Sequence, residues 1–547
     1  MKPETSKPEI LLGAEAVALG AIHAGLTAAY SYPGTPASEV MEYLVAEAAR
    51  RGDFRAAWSV NEKVAYEEAL GVSFAGGRTM VSMKHVGLNV AADPFMNSAL
   101  TGIDGGLVVV SADDPGMHSS QNEQDSRFYG DFARIVCFEP SNHQEAYEMT
   151  RRAFDVSEEF RIPVLVRLVT RLSHSRSSVR PGPPPRPQNQ LARDKNGYGA
   201  WDQWTLLPVN ARKRFRRMIE IQPRLVTMSE ESEFNRMEPG GGPGRLGVVA
   251  SGIAYNYVKE NLRDLKNPPP LLKISVYPVP RSLVAALVDQ VDTVLVAEEG
   301  YPYIERALAG MFGVSGKTVK GKLTGDLPAS GELSPEALRP ALGLAPIKAQ
   351  EIAGPAPEGF KLAARPPQLC KGCPHADTFN AINLALRGCP KASVFSDIGC
   401  YTLGAFPPYR AINTCVCMGA SVSMAKGASE VGVHPSVAVI GDSTFGHSGL
   451  TPLLEAAAQD SNMTVVILDN GTVAMTGGQP SYASGERLLR MVEGLGVPEG
   501  HIRVVEPLPK NLEANAAVLR EEFEHKGISV VVAARECIQQ ARKARRL

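Results

Sequence analysis

The amino-acid sequence predicts an α/β protein that has two doubly wound parallel-sheet domains with a smaller α/β domain between them. In the first 180 residues, apolar runs such as 107–110 and 164–166 alternate with helical patterns. This alternation is typical of a parallel sheet with helices on both faces. It returns near the C-terminus, with strands predicted at 437–440, 464–468 and 529–532. Segments rich in proline and glycine separate these regions, because such residues interrupt helices and central strands.

These patterns divide the chain into five segments. They are a first domain at 1–180, a linker with a basic helix near 210–217 at 181–244, a small α/β domain at 245–345, a second linker at 346–367 and a last domain at 368–547. The small domain has predicted strands at 246–250, 272–277 and 293–297, but no Gly-x-Gly-x-x-Gly phosphate loop follows its first strand. Dinucleotide binding is therefore not predicted.

The composition excludes several classes of protein. The chain of 547 residues has 44% hydrophobic and 21% charged residues, and its formal net charge is −1. This charge gives no basic footprint for nucleic acid. No stretch approaches the roughly 18 apolar residues that a membrane span needs, and the polar N-terminus lacks the apolar region of a signal peptide. We therefore expect a cytoplasmic protein with neither nucleic-acid nor membrane partners.

The eight cysteines are unevenly distributed along the chain. Six of them lie between residues 370 and 417, whereas Cys137 precedes this region and Cys537 follows it. A disulfide framework is typical of small secreted domains, which this chain is not. Clustered thiols in a reducing cytosol more often bind metal or take part in redox chemistry.

Polar residues follow two of the predicted strands in the last domain. Gly441-Asp442-Ser443 ends one strand, and Asp469-Asn470-Gly-Thr472 ends the next, 26 residues after Ser443. Open α/β sheets bind ligands at the carboxyl ends of their strands. A carboxylate, an amide oxygen and a backbone carbonyl suit Mg²⁺, which keeps other positions for phosphate and water. Each motif alone is also typical of a turn, but together they predict a metal–diphosphate site.

Several long motifs resemble those of the large subunit of indolepyruvate:ferredoxin oxidoreductase, a family of thiamine-diphosphate-dependent 2-oxo acid oxidoreductases. The resemblance covers nearly all of the chain in the family's domain order. It implies that residues 1–180 form a pyrimidine-binding domain and residues 368–547 a pyrophosphate-binding domain, the two halves of one cofactor site. The matching motifs are Tyr32-Pro-Gly-Thr-Pro36, Ser82-Met-Lys-His-Val-Gly-Leu-Asn89, Leu369-Cys-Lys-Gly-Cys-Pro-His375, Asp397-Ile-Gly-Cys-Tyr-Thr-Leu-Gly404, Cys417-Met-Gly-Ala-Ser421, Gly441-Asp-Ser-Thr-Phe-Gly-His-Ser-Gly449 and Ala474-Met-Thr-Gly477.

The resemblance places the thiamine-diphosphate motif between residues 441 and 470. It implies that Asp442, Asn470 and the backbone carbonyl of Thr472 hold Mg²⁺, which only anchors the diphosphate. Met475 is expected beneath the cofactor, although a methionine in an apolar context is more often part of a core. The expected cofactor-binding residues of this domain are Gly441, Asp442, Ser443, Asn470, Thr472 and Met475.

By the same resemblance, Glu62 is the carboxylate that promotes the reactive tautomer of the aminopyrimidine ring. The residues alone also fit an acid at a helix N-terminus, where the helix dipole favours negative charge. Thr35 is expected near the substrate carboxylate, and a capping hydroxyl in a proline-bounded turn is the alternative. His85, together with Lys84, is expected to face the same site.

Related oxidoreductases bind a 4Fe–4S cluster through a Cys-x-x-Cys pair, a later Ile-Gly-Cys and a distant fourth cysteine. A zinc site that combines the first pair with Cys415 and Cys417 is one alternative, and inert buried thiols are another. No role is predicted for Cys137 or Cys389. The resemblance assigns the cluster to Cys370, Cys373, Cys400 and Cys537.

The implied function is oxidative decarboxylation of an aryl 2-oxo acid, such as indolepyruvate, with coenzyme A as the acyl acceptor. The electrons would leave through the iron–sulfur cluster. One alternative is a non-oxidative thiamine-dependent decarboxylase or carboligase, which needs no cysteine cluster. Another is a non-catalytic subunit, against which the presence of Glu62, Asp442 and Asn470 argues.

The resemblance also implies partner proteins. The family pairs its large chain with a smaller second (beta) subunit, and two such pairs give a heterotetramer. The large chain of the family usually carries a ferredoxin-like tail with two Cys-x₂-Cys-x₂-Cys-x₃-Cys runs, which this sequence lacks. We therefore expect either a separate electron-carrier protein or a different electron acceptor.

Overall fold

The computed structural model describes residues 7–182, 186–187, 204–241, 244–310, 313–347 and 366–544. These residues belong to two compact units, residues 1–358 and residues 359–547. Most of the expected second linker, 346–367, lies outside the described residues, and the finer division into five segments stays a prediction. Within the described residues, no helix has both the length and the hydrophobicity needed to cross a bilayer.

The first unit contains a seven-stranded sheet whose strands are parallel except for one at the edge. Helices cover the sheet, and the helix Glu62–Phe74 begins directly after the edge strand Arg55–Trp58. In spatial order the strands are Val276–Tyr277, Cys137–Phe138, Val164–Val169, Leu107–Asp113, Thr79–Lys84, Ala28–Ser31 and Arg55–Trp58. Helices of this unit include Gly13–His23, Ser38–Arg51, Glu62–Phe74, His85–Val90, Ala92–Thr101, Arg127–Phe132, His143–Phe160 and Thr170–His174.

The first unit also contains a five-stranded sheet, together with a short pair formed by Glu9–Leu12 and Arg176–Val179. The basic stretch 210–217 lies in the helix Pro208–Glu230, as predicted. In spatial order the five strands are Thr318–Lys320, Thr293–Ala297, Leu246–Ser251, Leu271–Ile274 and Arg236–Glu238. The helices that follow in this part of the chain are Ala254–Leu262, Arg281–Val288, Tyr303–Ala309 and Pro335–Leu338.

The single strand predicted at 272–277 is divided in the structure. Leu271–Ile274 belongs to the five-stranded sheet, whereas Val276–Tyr277 pairs antiparallel with Cys137–Phe138 in the seven-stranded sheet. The division falls at Ser275, whose N–H donates to Oδ1 of Asn235 at 2.7 Å. Its carbonyl accepts from the N–H of Glu139 at 2.7 Å. The chain thus passes from one sheet to the other at one hydrogen-bonded residue.

Two buried arginines connect these sheets. Nε of Arg167 donates to Oδ2 of Asp113 at 2.6 Å, and its Nη1 donates to Glu139. Nη1 of Arg127 donates to Oε2 of Glu298 at 2.8 Å, at the end of a strand of the other sheet. Both arginine side chains are at most 1% exposed. Buried charges of this kind require partners, because an isolated ion is poorly solvated inside a protein.

The second unit contains a five-stranded sheet in which all strands are parallel. Separate apolar cores lie on its two faces. The predicted α/β class with doubly wound parallel sheets is therefore confirmed. In spatial order the strands are Ser393–Ser396, Ser436–Gly441, Met463–Asp469, Ile528–Ala534 and Ile502–Val505. Its main helices are Pro374–Ala385, Ala420–Glu430, Leu450–Ala458, Glu486–Gly494, Leu512–Glu524 and Ile538–Ala544.

Replacing Arg167 with methionine tests the buried ion network. We expect the unfolding transition of the first unit to lose about 3–5 kcal/mol, because Asp113 and Glu139 would stay buried without this counter-charge. Denaturant unfolding followed by fluorescence gives the measurement. Arg245→Met is the control, since Arg245 pairs with Asp292 at the surface and exposed pairs contribute little. Equal, small effects of both substitutions would contradict the expectation.

Candidate functional site

Acidic and amide residues cluster at the carboxyl edge of the sheet in the second unit. Asp397 follows Ser393–Ser396, Asp442 follows Ser436–Gly441, and Asp469 ends Met463–Asp469 with Asn470 after it. These three strands are neighbours in the sheet. All four side chains are buried. The predicted residues Asp442 and Asn470 therefore lie at the tips of adjacent parallel strands, where open α/β sheets bind ligands.

Asp442 is held by backbone N–H groups. Ser443 donates to its Oδ1 at 2.7 Å and Gly471 donates to its Oδ2 at 2.9 Å. Burial, and then the charge of Asp469, raises the pKa of Asp442 to about 8. A divalent cation would offset the repulsion between these two buried carboxylates. The oxygen donors at this edge fit Mg²⁺, which prefers carboxylate and carbonyl ligands.

Asn470 makes three defined hydrogen bonds. Its Oδ1 accepts from the N–H of Thr472 at 3.0 Å, and its Nδ2 lies 3.1 Å from Nε2 of His375. Its backbone carbonyl accepts from the N–H of Cys537 at 3.1 Å. Thr472 begins the short strand Thr472–Val473, which pairs with Gln479–Pro480. The loop that carries the amide is therefore fixed from both sides.

Two other predicted cofactor-binding residues, Ser443 and Met475, follow these strand tips. Ser443 lies within the first turn after the strand Ser436–Gly441, in the short helix Asp442–Thr444. Met475 lies in the 3₁₀ turn Ala474–Thr476 and is 60% exposed, so it is not part of a core. Its predicted position beneath the cofactor stays a prediction.

The sequence analysis gave no role to Asp397 and Tyr401. The Tyr401 hydroxyl donates to Oδ1 of Asp397, and the N–H and hydroxyl of Ser421 donate to its Oδ2 at 3.1 and 2.5 Å. Burial raises the pKa of Asp397 to about 6, although these hydrogen bonds act in the opposite direction. Gly399 leaves room for the Tyr401 ring, since a Cβ there would come within 2.3 Å of it. The apolar residues Val394 and Phe395 before Asp397 are the local signal for this strand tip.

Charge interactions link Cys400 with the other three cysteines predicted for the cluster. Burial, followed by the charges of Cys373, Cys537 and Cys370, raises the pKa of Cys400 to about 12. Cys373 and Cys537 are buried, whereas Cys370 is exposed. By contrast, burial and then the charge of Asp397 raise the pKa of Cys417. The choice between the cluster set and the zinc set stays a prediction.

Among the residues that the structure describes, no group of three or more His, Cys, Asp or Glu side chains has the arrangement of a bound metal ion. A 4Fe–4S cluster spreads its four thiolates around a larger body than a single ion does. The cysteine chemistry fits such a cluster, and its presence stays a prediction.

Residues predicted for catalysis lie at the carboxyl edge of the seven-stranded sheet in the first unit. Glu62 is the first residue of the helix Glu62–Phe74, which Asn61 caps by accepting from the N–H of Val64 at 2.8 Å. The Glu62 side chain is only 5% exposed. Gly87 leaves the room that it occupies, because a Cβ at that position would come within 2.6 Å of Oε1 of Glu62. A merely exposed first-turn acid would need no such space.

Thr35 and Lys84 meet at Ser119. The Ser119 hydroxyl donates to the Thr35 carbonyl at 3.3 Å, and Nζ of Lys84 donates to the Ser119 carbonyl at 2.9 Å. Burial lowers the pKa of Lys84 to about 8, and the charge of Asp114 opposes this shift. A partly desolvated amine beside a threonine can bind a carboxylate.

His85 is buried next to Lys84 at the end of the strand Thr79–Lys84. Its Nε2 lies 3.3 Å from both the backbone and the side-chain oxygen of Asn122. Its Nδ1 is buried and has no hydrogen-bond partner in the part of the chain that the structure describes. The ring therefore has one nitrogen available for a ligand.

Comparisons with known proteins identify the family. Residues 19–220 match the family described as pyruvate flavodoxin/ferredoxin oxidoreductase, thiamine diP-bdg, and residues 397–533 match the thiamine pyrophosphate enzyme C-terminal TPP binding domain. Indolepyruvate oxidoreductase subunit IorA of Archaeoglobus fulgidus is 40% identical over 98% of this chain and 87% of its own length. The chain belongs to this IorA family. The relative from Thermococcus kodakarensis is 37% identical over 96% of this chain and 85% of its own length.

A solved structure supports the fold of the IorA family member. It is a 2-oxoglutarate:ferredoxin oxidoreductase from Magnetococcus marinus, with 2-oxoglutarate, coenzyme A and succinyl-CoA bound. It has a TM-score of 0.51 and 18% identity, and the match covers 62% of this chain and 65% of that chain. The prediction of a thiamine-diphosphate-dependent 2-oxo acid oxidoreductase is confirmed by the family. The roles of individual site residues stay predictions.

Gly87→Ala tests the space that Glu62 needs in this IorA family member. The added Cβ would displace the Glu62 carboxylate, and misplacement of a catalytic group by about 1 Å can cost about 100-fold in rate. We expect kcat to fall about 10-fold or more, with thiamine-diphosphate affinity changed much less. Gly71→Ala is the matched control, because a Cβ there meets nothing within 4 Å. Unchanged turnover in Gly87→Ala would contradict the assignment of Glu62.

Proposed function

We propose that this chain is the thiamine-diphosphate-binding subunit of an oxidoreductase that converts an aryl 2-oxo acid and coenzyme A into acyl-CoA and CO₂. The substrate class follows from the names of its relatives, which are indolepyruvate oxidoreductase subunits. The observation that carries the proposal is the pair Asp442 and Asn470 at adjacent strand tips. An acidic and an amide oxygen in this position suit the cation of a bound diphosphate.

Thiamine diphosphate, when bound, supplies an electron sink for the loss of CO₂ from the oxo acid. Asp442, Asn470 and the carbonyl of Thr472 would hold Mg²⁺ and so orient the diphosphate. Glu62 would hold a proton at the aminopyrimidine ring. Its burial at a helix N-terminus suits this role, because a fixed carboxylate keeps the proton at a defined atom.

Lys84 and Thr35 would bind the substrate carboxylate. Ser119 binds both Nζ of Lys84 and the Thr35 carbonyl, so the amine lies close to this threonine. The free Nδ1 of His85 would donate to, or accept from, the reacting group. This arrangement would position a 2-oxo acid by its charged end.

The reaction must release electrons. A 2-oxo acid and coenzyme A give acyl-CoA, CO₂, one proton and two electrons. Four thiolates at Cys370, Cys373, Cys400 and Cys537 would hold a 4Fe–4S cluster that accepts these electrons one at a time. The exposure of Cys370 would let the cluster pass electrons to a separate carrier protein. A non-oxidative decarboxylase has no use for this group of cysteines.

We propose that the enzyme is completed by a smaller second (beta) subunit. The relatives are named as subunits, which implies a partner chain. Two copies of each chain would make a heterotetramer.

Asp442→Asn tests the diphosphate site. Because the substitution removes a charged ligand of the proposed cation, we expect Mg²⁺-dependent thiamine-diphosphate binding to weaken by about 100-fold or more. Isothermal titration of the full chain gives the affinity. Asp460→Asn is the matched control, since Asp460 lies in the same unit and its Oδ1 accepts from the N–H of Ile528 at 3.3 Å, at the opposite end of the sheet strands. Equal affinities in both variants would refute the assignment.

Anaerobic purification tests the cluster. We expect about four iron atoms and four sulfides per chain, with broad absorbance near about 400 nm. Cys400→Ser should lose most of this absorbance because it removes one of the four thiolates. Cys389→Ser should keep it, since Cys389 is exposed and has no proposed ligand role. Zinc in place of iron, or no metal at all, would rule out the electron-transfer step.

A further inference from the structure

His375 connects the cysteine-bearing loop with the diphosphate loop in the second unit. It follows Cys373 by two residues and lies in the first turn of the helix Pro374–Ala385. Its side chain is 3% exposed, and its Nε2 lies 3.1 Å from Nδ2 of Asn470, 95 residues away in sequence. The Tyr401 ring packs edge-on against it, with the ring centroids 6.3 Å apart. The imidazole therefore has a fixed position beside the amide.

The direction of this hydrogen bond follows from the partners of Asn470. The N–H of Thr472 needs an acceptor and lies 3.0 Å from Oδ1, so the amide oxygen must face Thr472. The amide nitrogen then faces His375 and can only donate. Nε2 of His375 is accordingly the acceptor. The opposite amide orientation would bring two N–H donors together, which excludes it.

This orientation leaves the amide oxygen with capacity for a cation. A carbonyl oxygen has two lone pairs, and the N–H of Thr472 occupies one of them. The backbone of Asn470 is fixed as well, because its carbonyl accepts from the N–H of Cys537 at 3.1 Å. Two residues from the cysteine-bearing segments therefore hold both ends of this asparagine.

We propose that His375 is a positioning residue that orients the side chain of Asn470 toward the diphosphate-bound cation. The inference rests on the proposed function, because it assumes that Asn470 is a ligand of that cation. Partners that orient ligands in this way commonly change metal affinity by about 10–100-fold when they are removed. A role confined to packing would instead change stability and leave affinity intact.

The test measures Mg²⁺-dependent binding of thiamine diphosphate to the cofactor-stripped full chain by isothermal titration. His375→Leu and His375→Phe remove the acceptor, and the phenylalanine keeps aromatic packing against Tyr401 if the leucine variant unfolds. We expect both to weaken binding about 10–100-fold and to raise the Mg²⁺ requirement. His375→Gln should bind close to the wild type, because its side-chain oxygen can accept from Asn470.

Thr464→Val is the matched control in the same unit. Its hydroxyl donates to the Glu522 carbonyl at 2.9 Å, at the opposite end of the strand that precedes Asn470. Because this hydroxyl also accepts from the Ser529 hydroxyl at 3.0 Å, the substitution removes two buried hydrogen bonds without touching the site, and affinity should not change. Wild-type affinity in His375→Leu and His375→Phe, or equal weakening in His375→Gln, would overturn the inference alone. Absence of binding in the wild type would overturn the proposed function together with it.

Discussion

The close approach of two buried carboxylates, Asp442 and Asp469, is the constraint on which the second unit depends. Parallel strands place their carboxyl ends at one edge, so the residues that end adjacent strands are forced into proximity. Burial and mutual repulsion raise the pKa of Asp442. Backbone N–H groups of Ser443, Gly471 and Gly485 satisfy part of the negative charge. A bound divalent cation would supply the rest, which links the fold of this edge directly to the chemistry of a diphosphate.

The first unit resolves a similar problem with its own side chains. Asp113 and Glu139 are compensated by Arg167, and Glu298 by Arg127, all within the protein interior. Each of these acids therefore has an arginine partner within the protein. We therefore assign the network to structure and the Asp442 edge to function. Both bury acidic groups, but arginines contact the acids of the network, whereas Asp442 is bound by backbone N–H groups.

The features that could be predicted from the sequence are those that depend on local patterns. Apolar runs that end in Gly441-Asp442 and in Asp469-Asn470 predicted both strand tips, and the basic stretch predicted the helix Pro208–Glu230. Each of these features depends on neighbouring residues. The roles of Glu62 and of the four cysteines came only from the family resemblance, because neither a helix N-terminal acid nor a thiol is distinctive by itself.

Features that depend on distant partners were not predicted. The strand at 272–277 divides because Asn235 binds the backbone at Ser275, and no local pattern shows this. The strand Ser393–Ser396 has only two apolar residues between its serines, which is a weak strand pattern. His375 went unnoticed because its partner, Asn470, lies 95 residues away. Tertiary contacts of this kind decide which polar residues become part of a site.

The most direct measurement is the product balance of the anaerobic reaction. The chain, isolated with its partner subunit, would be supplied with an aryl pyruvate, coenzyme A and an oxidised viologen, which accepts one electron per molecule. The account predicts one acyl-CoA and two reduced viologens for each CO₂ released. Release of CO₂ with an aldehyde or a new carbon–carbon bond as the product, and with the viologen still oxidised, would contradict it.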